Sequence, residues 1–169
     1  SCDVWRIALA DGNSVFLKAE RLHPLAELPG EIERLNWLTG MGFKAPRVVD
    51  AEQVGSRLFL LMTAVPGADL THYIDRPGDF VRAYAQGLKR LHALDPANCP
   101  FDHSLEARLA EAEARMRAGL VDEDDFDTER QGWTAARVLD WLHRHRPETG
   151  DRIVTHGDAS APNILAQQG

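Results

Sequence analysis

The sequence predicts an α+β fold, with a small β-rich lobe over residues 1–64, a short hinge at 65–67 and a mainly helical lobe over 68–169. Three observations carry this. Residues 4–20 and 47–63 alternate apolar and polar side chains and are rich in β-branched and aromatic types, the pattern of half-buried strands. Val65-Pro66-Gly67 then breaks both regular structures. Beyond it, apolar residues recur every three to four positions, the period of a helix with one buried face.

Each element follows in order. Residues 4–9 and 15–20 read as a hairpin across Asp11-Gly12-Asn13, whose residues tolerate positive φ. A helix is predicted over 30–39, where Ile32, Leu35, Trp37 and Leu38 supply the apolar face and Gly40 the stop. Strands follow at 47–50 and 57–63. After the hinge, Phe80, Tyr84, Leu88, Leu91 and Leu94 share one face of a long helix closed by Asp95-Pro96. Further helices are predicted over 105–117 and 133–145. The apolar run at 152–155 is expected to be a strand, with a second near Ile164-Leu165 forming the start of a hairpin.

The 169 residues carry 19 Lys and Arg against 26 Asp and Glu, a net charge of -7, which argues against nucleic acid or an anionic membrane as partner. A small cationic partner fits this balance. Apolar runs such as 58–62 are far shorter than the roughly 20 residues that cross a bilayer, and no signal peptide opens the chain, so a cytoplasmic location is expected. Cys2 and Cys99 lack the spacing of a zinc site or a redox pair.

Two places could carry chemistry. Lys18 lies in a strand among apolar neighbours, and Glu31 follows in the next helix. A strand lysine can aim a point charge at phosphate oxygens when a carboxylate holds its flexible stem. Taken alone, a strand lysine is usually a solvated edge residue. In His156-Gly157-Asp158, glycine lets the chain turn and presents the carboxylate outward, and Asn163 follows five residues later. Asp158 and Asn163 facing one cleft would suit phosphoryl transfer, the carboxylate orienting an attacking hydroxyl and the amide oxygen holding a divalent metal. The alternative is an Asp-capped loop without chemistry. His156 is expected to be buried and loop-stabilising rather than a base.

The strand lysine with its helix glutamate, the Val-Pro-Gly hinge and His-Gly-Asp with Asn five residues on resemble, in this order, the aminoglycoside phosphotransferases, relatives of the protein kinases. Leu91-His92-Ala93-Leu94-Asp95, Cys99-Pro100-Phe101-Asp102-His103 and Gly119-Leu120-Val121-Asp122 look most like the aminoglycoside 3'-phosphotransferases. The resemblance implies a kinase-like two-lobe fold and ATP and Mg2+ as the groups used. Lys18 would bind the α- and β-phosphates with Glu31 as ion-pair partner. Phe16 would stack on adenine, Met62 would back its pocket, and the backbone of Thr63 to Val65 would bond its edge. Asp158 would be catalytic and touch the substrate hydroxyl, and Asn163 would be a metal ligand.

The same resemblance gives the acidic run from Asp122 to Glu129 a role. Carboxylates in a cleft concentrate a polycation and pair with its ammonium groups. Asp125, Asp127 and Glu129 are the substrate-binding candidates, ahead of Asp122 and Asp124, with a solvated acidic loop as the alternative. Thr128 stands where relatives can carry an acid.

Two departures from the family pattern matter. The chain starts inside what would be the phosphate-covering loop, lacking a first strand, and no acid follows Asn163, where the family has a second metal-binding aspartate. The 169 residues as they stand are therefore expected to be incompetent or severely impaired in transfer. A kinase of the same fold acting on another small alcohol, such as a macrolide, choline or homoserine, and a non-catalytic nucleotide-binding remnant are the competing readings. No protein partner is implied.

Overall fold

Four strands, β1 (Cys2–Ala8), β2 (Ser14–Arg21), β3 (Val48–Val54) and β4 (Arg57–Thr63), make an antiparallel sheet in the order β1-β2-β4-β3. The computed structural model describes residues 2–148 and 150–167. Helix α1 (Leu28–Gly40) packs on one face of this sheet. Register explains which face. Phe16 pairs with Met62, Lys18 with Leu60 and Glu20 with Leu58, so these six share one side of the pleat. Leu60 and Met62 of that side join Leu28 and Leu35 of α1 in the core, with Phe16, Ile32, Ala45, Val48 and Leu58 packed against them. Leu28 and Leu60 are fully buried, and each contributes about 1.5–3 kcal/mol by leaving water.

Residues 1–92 and 155–169 form one compact unit and residues 93–154 a second. In the first, a two-residue strand β5 (Ala68–Asp69) follows Val65-Pro66-Gly67, then a 3₁₀ turn at Leu70–Tyr73 and helix α2 (Pro77–His92). Strand β6 (Leu165–Ala166) pairs antiparallel with β5. In the second, α3 (Leu105–Arg117) packs against α4 (Ala135–Arg144), burying Leu109 and Leu139. The Ser104 hydroxyl accepts the Ala107 N–H at 3.2 Å and the Thr134 hydroxyl accepts the Arg137 N–H at 3.2 Å, capping the two helices.

The strand expected over 152–155 does not form. Residues 152–155 are irregular, with Val154 buried but Ile153 exposed, and the partner of the later strand is β5. A short apolar run names no partner, and Pro162 starts a 3₁₀ turn at Ala161–Asn163 that carries the chain to β5 instead. Helix α4 begins two residues after Trp133, because Thr134 is its cap.

Candidate active site

On β2, Lys18 projects from the α1-facing side of the sheet, and its Nζ donates to Glu31 Oε1 at 2.6 Å. Both side chains are partly exposed, at 23% and 31%, so the pair holds a direction more than it adds stability. It borders a pocket of about 380 Å³ whose walls include Cys2, Val4, Glu20 and Leu28. Burial pushes the Cys2 thiol above its ordinary range against the opposing pull of the Lys18 ammonium, which leaves it a thiol at neutral pH.

Glu20 is the buried charged residue of the described chain, and no sequence signal marked it. Its Oε2 accepts the N–H groups of Glu27 at 2.9 Å and Leu28 at 2.8 Å, the open donors at the start of α1. Glu27, at the N-cap, makes no side-chain cap of its own.

Phe16 and Met62 are cross-strand partners on the same face, Phe16 half-buried and Met62 buried. The chain leaves β4 at Thr63. The Thr63 N–H donates to Arg47 O at 2.9 Å and the Ala64 N–H to Ser14 O at 3.2 Å, while the Val65 N–H has no acceptor among the described residues. Of the three amides expected to face adenine, Val65 carries the uncommitted donor.

The loop after residue 155 turns at Gly157, whose φ of +84° is in the left-handed region. Asp158 then receives the Ser160 N–H on Oδ1 at 3.3 Å. The Asn163 side-chain amide donates to Asp158 Oδ2 at 2.8 Å, to the Asp158 carbonyl at 3.2 Å and to Ser160 Oγ at 3.1 Å. These bonds fix the carboxylate from within its own loop. His156 is exposed, so the buried loop-stabilising role expected for it is corrected. Gly157 turns the chain toward solvent and leaves the ring no apolar pocket. The loop is tied down beyond Asn163, where the Leu70 N–H donates to Ile164 O at 3.0 Å and the Tyr73 hydroxyl to Ala166 O at 3.4 Å.

With its NH2 turned to Asp158, Asn163 has an Oδ1 that accepts no hydrogen bond among the described residues. One amide oxygen beside one carboxylate is a hard oxygen donor set of the kind magnesium takes together with water and phosphate oxygens. No three His, Cys, Asp or Glu side chains converge among the described residues, so the fit is to an ion shared with a phosphate ligand rather than to a protein cage.

In the second unit the acidic run divides into committed and free carboxylates. Asp122 accepts the Asp124 N–H at 3.1 Å, and Glu123 accepts the Ala135 N–H at 2.7 Å, at the start of α4. Asp127 accepts the Arg130 N–H at 3.0 Å and forms an ion pair with its guanidinium. Asp124, Asp125 and Glu129 are exposed and make no such bond among the described residues. Arg130 also lies over the Trp141 ring, 5.3 Å from its centroid.

A family profile described as the phosphotransferase enzyme family matches residues 1–169. The chain belongs to that family. Among curated phosphotransferases it is 37% identical over 163 residues to an aminoglycoside 3'-phosphotransferase of Escherichia coli, covering 94% of this chain and 60% of the relative. It is 39% identical over 145 residues to one of Streptomyces fradiae, covering 85% of this chain and 54% of the relative. The crystal structure of an aminoglycoside 3'-phosphotransferase of type VIII superimposes with a TM-score of 0.86 at 37% identity, over 97% of this chain and 61% of that one. An aminoglycoside phosphotransferase of Streptomyces rimosus, solved with ADP and streptomycin, gives a TM-score of 0.75 at 26% identity, over 94% and 61%. This phosphotransferase chain thus spans about 60% of the E. coli relative and of these two solved structures, and has their kinase-like α+β fold.

Proposed function

We propose that this protein transfers the γ-phosphoryl group of ATP to a hydroxyl of an aminoglycoside antibiotic, the 3'-hydroxyl by analogy with its relatives, and so confers resistance to the drug. The observation that carries the reading is the loop in which Asn163 and Ser160 hold the Asp158 carboxylate in one orientation. In the proposed reaction the substrate oxygen attacks the γ-phosphorus, the bond from that phosphorus to the bridging oxygen of ADP breaks, and the hydroxyl proton passes to Asp158. Lys18, steered by Glu31, meets the α- and β-phosphates. Phe16 and Met62 flank the adenine, and the Val65 N–H bonds its edge. Asn163 would hold magnesium through its Oδ1, and the ion when bound neutralises charge on the transferring phosphate.

The free carboxylates Asp125 and Glu129, with Asp127, draw in the polycationic substrate. A reaction that consumes ATP is expected in the cytoplasm, and no helix among the described residues is long and apolar enough to cross a membrane. The residues 1–64 and 68–169 would then work as nucleotide-binding and catalytic lobes across the 65–67 hinge.

The test uses the full product of the gene with ATP, magnesium and kanamycin. Asp158→Ala is expected to abolish drug-dependent ADP release while leaving ATP affinity within about threefold, since its role belongs to the transition state. Turnover that survives the change would remove Asp158 from the mechanism.

A further inference from the structure

Strand β2 grips helix α1 at two points. Lys18 and Glu20 are two residues apart and so lie on the same side of the strand. Lys18 takes Glu31 at 2.6 Å, and Glu20 takes the N–H groups of Glu27 and Leu28 at 2.9 and 2.8 Å. The spacings match: two strand residues advance about 6.6 Å, and the four helical residues from Glu27 to Glu31 about 6 Å. The helix begins where Glu20 holds it, and one turn later Glu31 arrives beside Lys18.

We infer that Glu20 is a positioning residue for nucleotide binding, setting the place along α1 at which Glu31 meets Lys18. This rests on the reading that Lys18 binds the nucleotide phosphates. A carboxylate there suits the task, because charge-assisted bonds to the free N–H groups of a helix start are short and the helix dipole favours the negative charge. No nearer group competes for the post, since the N-cap residue Glu27 leaves its own side chain out of the cap. Glu20 need not touch the nucleotide, and its influence runs through Glu31 and the Lys18 ammonium.

The test is a cycle of ATP dissociation constants on the wild type, Glu20→Ala, Glu20→Gln, Lys18→Ala and Lys18→Ala with Glu20→Ala. Glu20→Ala is expected to weaken ATP about tenfold, and Glu20→Gln, which keeps one acceptor oxygen, by less than about threefold. In the Lys18→Ala background Glu20→Ala should add nothing, because the path ends at Lys18. Fold-changes that multiply across the cycle, or an unchanged constant in Glu20→Ala, would overturn the proposal. Should Glu20→Ala fail to fold, Glu20→Asp takes its place, still charged but one methylene too short to reach both N–H groups. A second readout needs no nucleotide. The cross-peak between the Lys18 ε-protons and the Glu31 γ-protons in an NMR NOE spectrum should fade in Glu20→Ala and persist in Glu20→Gln. Failure of the wild type to bind ATP would count against the proposed function, while the cross-peak still decides for or against Glu20.

Discussion

The Asn163 side-chain amide donates to the Asp158 carboxylate at 2.8 Å while its backbone N–H closes a turn on Ser160 O at 3.0 Å. Asn163 is therefore locked at both ends, and the carboxylate takes its orientation from it. Truncation to alanine frees Asp158 to rotate and removes an oxygen donor. In the full gene product, Asn163→Ala is expected to lower kcat by about 10²-fold, the cost of misplacing a reacting group by about an ångström. ATP affinity, set at Lys18, should move far less. Steady-state kinetics with kanamycin and a binding titration check this, and an equal loss in both would mean that Asn163 acts mainly on the nucleotide.

The two chemical groups were legible in the sequence for different reasons. Asp158 and Asn163 stand five residues apart in one loop, so local spacing already brought them together. Lys18 and Glu31 were readable as a pair only together with the His-Gly-Asp loop and the family resemblance, because a strand lysine with an acid in the next helix has no specific signal of its own. Glu20 escaped notice because a polar residue at the end of a strand is what alternation leads one to expect in any case. The β5–β6 ladder was invisible for another reason: two residues per strand carry no period, and the partners lie almost a hundred positions apart. The run at 152–155 had strand composition but no strand to pair with.

Gly67 follows from that ladder. Its φ is +130°, and a Cβ placed on it would stand 2.7 Å from the Ala166 carbonyl oxygen, backbone that cannot swing aside as a side chain can. Gly67→Ala is therefore expected to cost about 1–3 kcal/mol through strain and the parting of β5 from β6. Thermal unfolding, compared with Gly78→Ala, where nothing lies within 4 Å, checks this. An unchanged melting temperature would mean that the two strands separate freely.

The acidic run should respond unevenly to loss of charge. Among the described residues Asp125 and Glu129 have no side-chain partner, whereas Asp127 is held by Arg130. Asp125→Asn and Glu129→Gln are each expected to weaken aminoglycoside binding about three- to tenfold at low salt, less at 0.5 M, where screening shortens the reach of exposed charges to a few ångströms. Asp127→Asn should weaken it less, because its carboxylate already has a cation. Calorimetric titration with kanamycin at two salt concentrations separates the three. A larger effect at Asp127 than at Asp125 would show that the drug displaces Arg130.

Asp69, at the end of β5, gives the chain a pH-dependent tie. The Thr71 hydroxyl, then the Thr71 N–H at 2.9 Å and the His72 ring at 3.3 Å, hold its carboxyl below the usual range, outweighing slight desolvation. A depressed folded-state pKa means that the unfolded chain takes up the proton first as the pH falls. The stabilisation is thus complete above the unfolded value, about 3.9, and is lost as the pH drops through the lower folded value. Asp69→Asn removes the charge that these donors favour. It should melt below the wild type at pH 7, with the gap closing as the pH falls below about 4, where the wild-type carboxyl begins to lose its advantage. Melting curves from pH 7 to pH 3 follow the gap directly, and a gap that widens in acid would reverse the sign and remove Asp69 as the source.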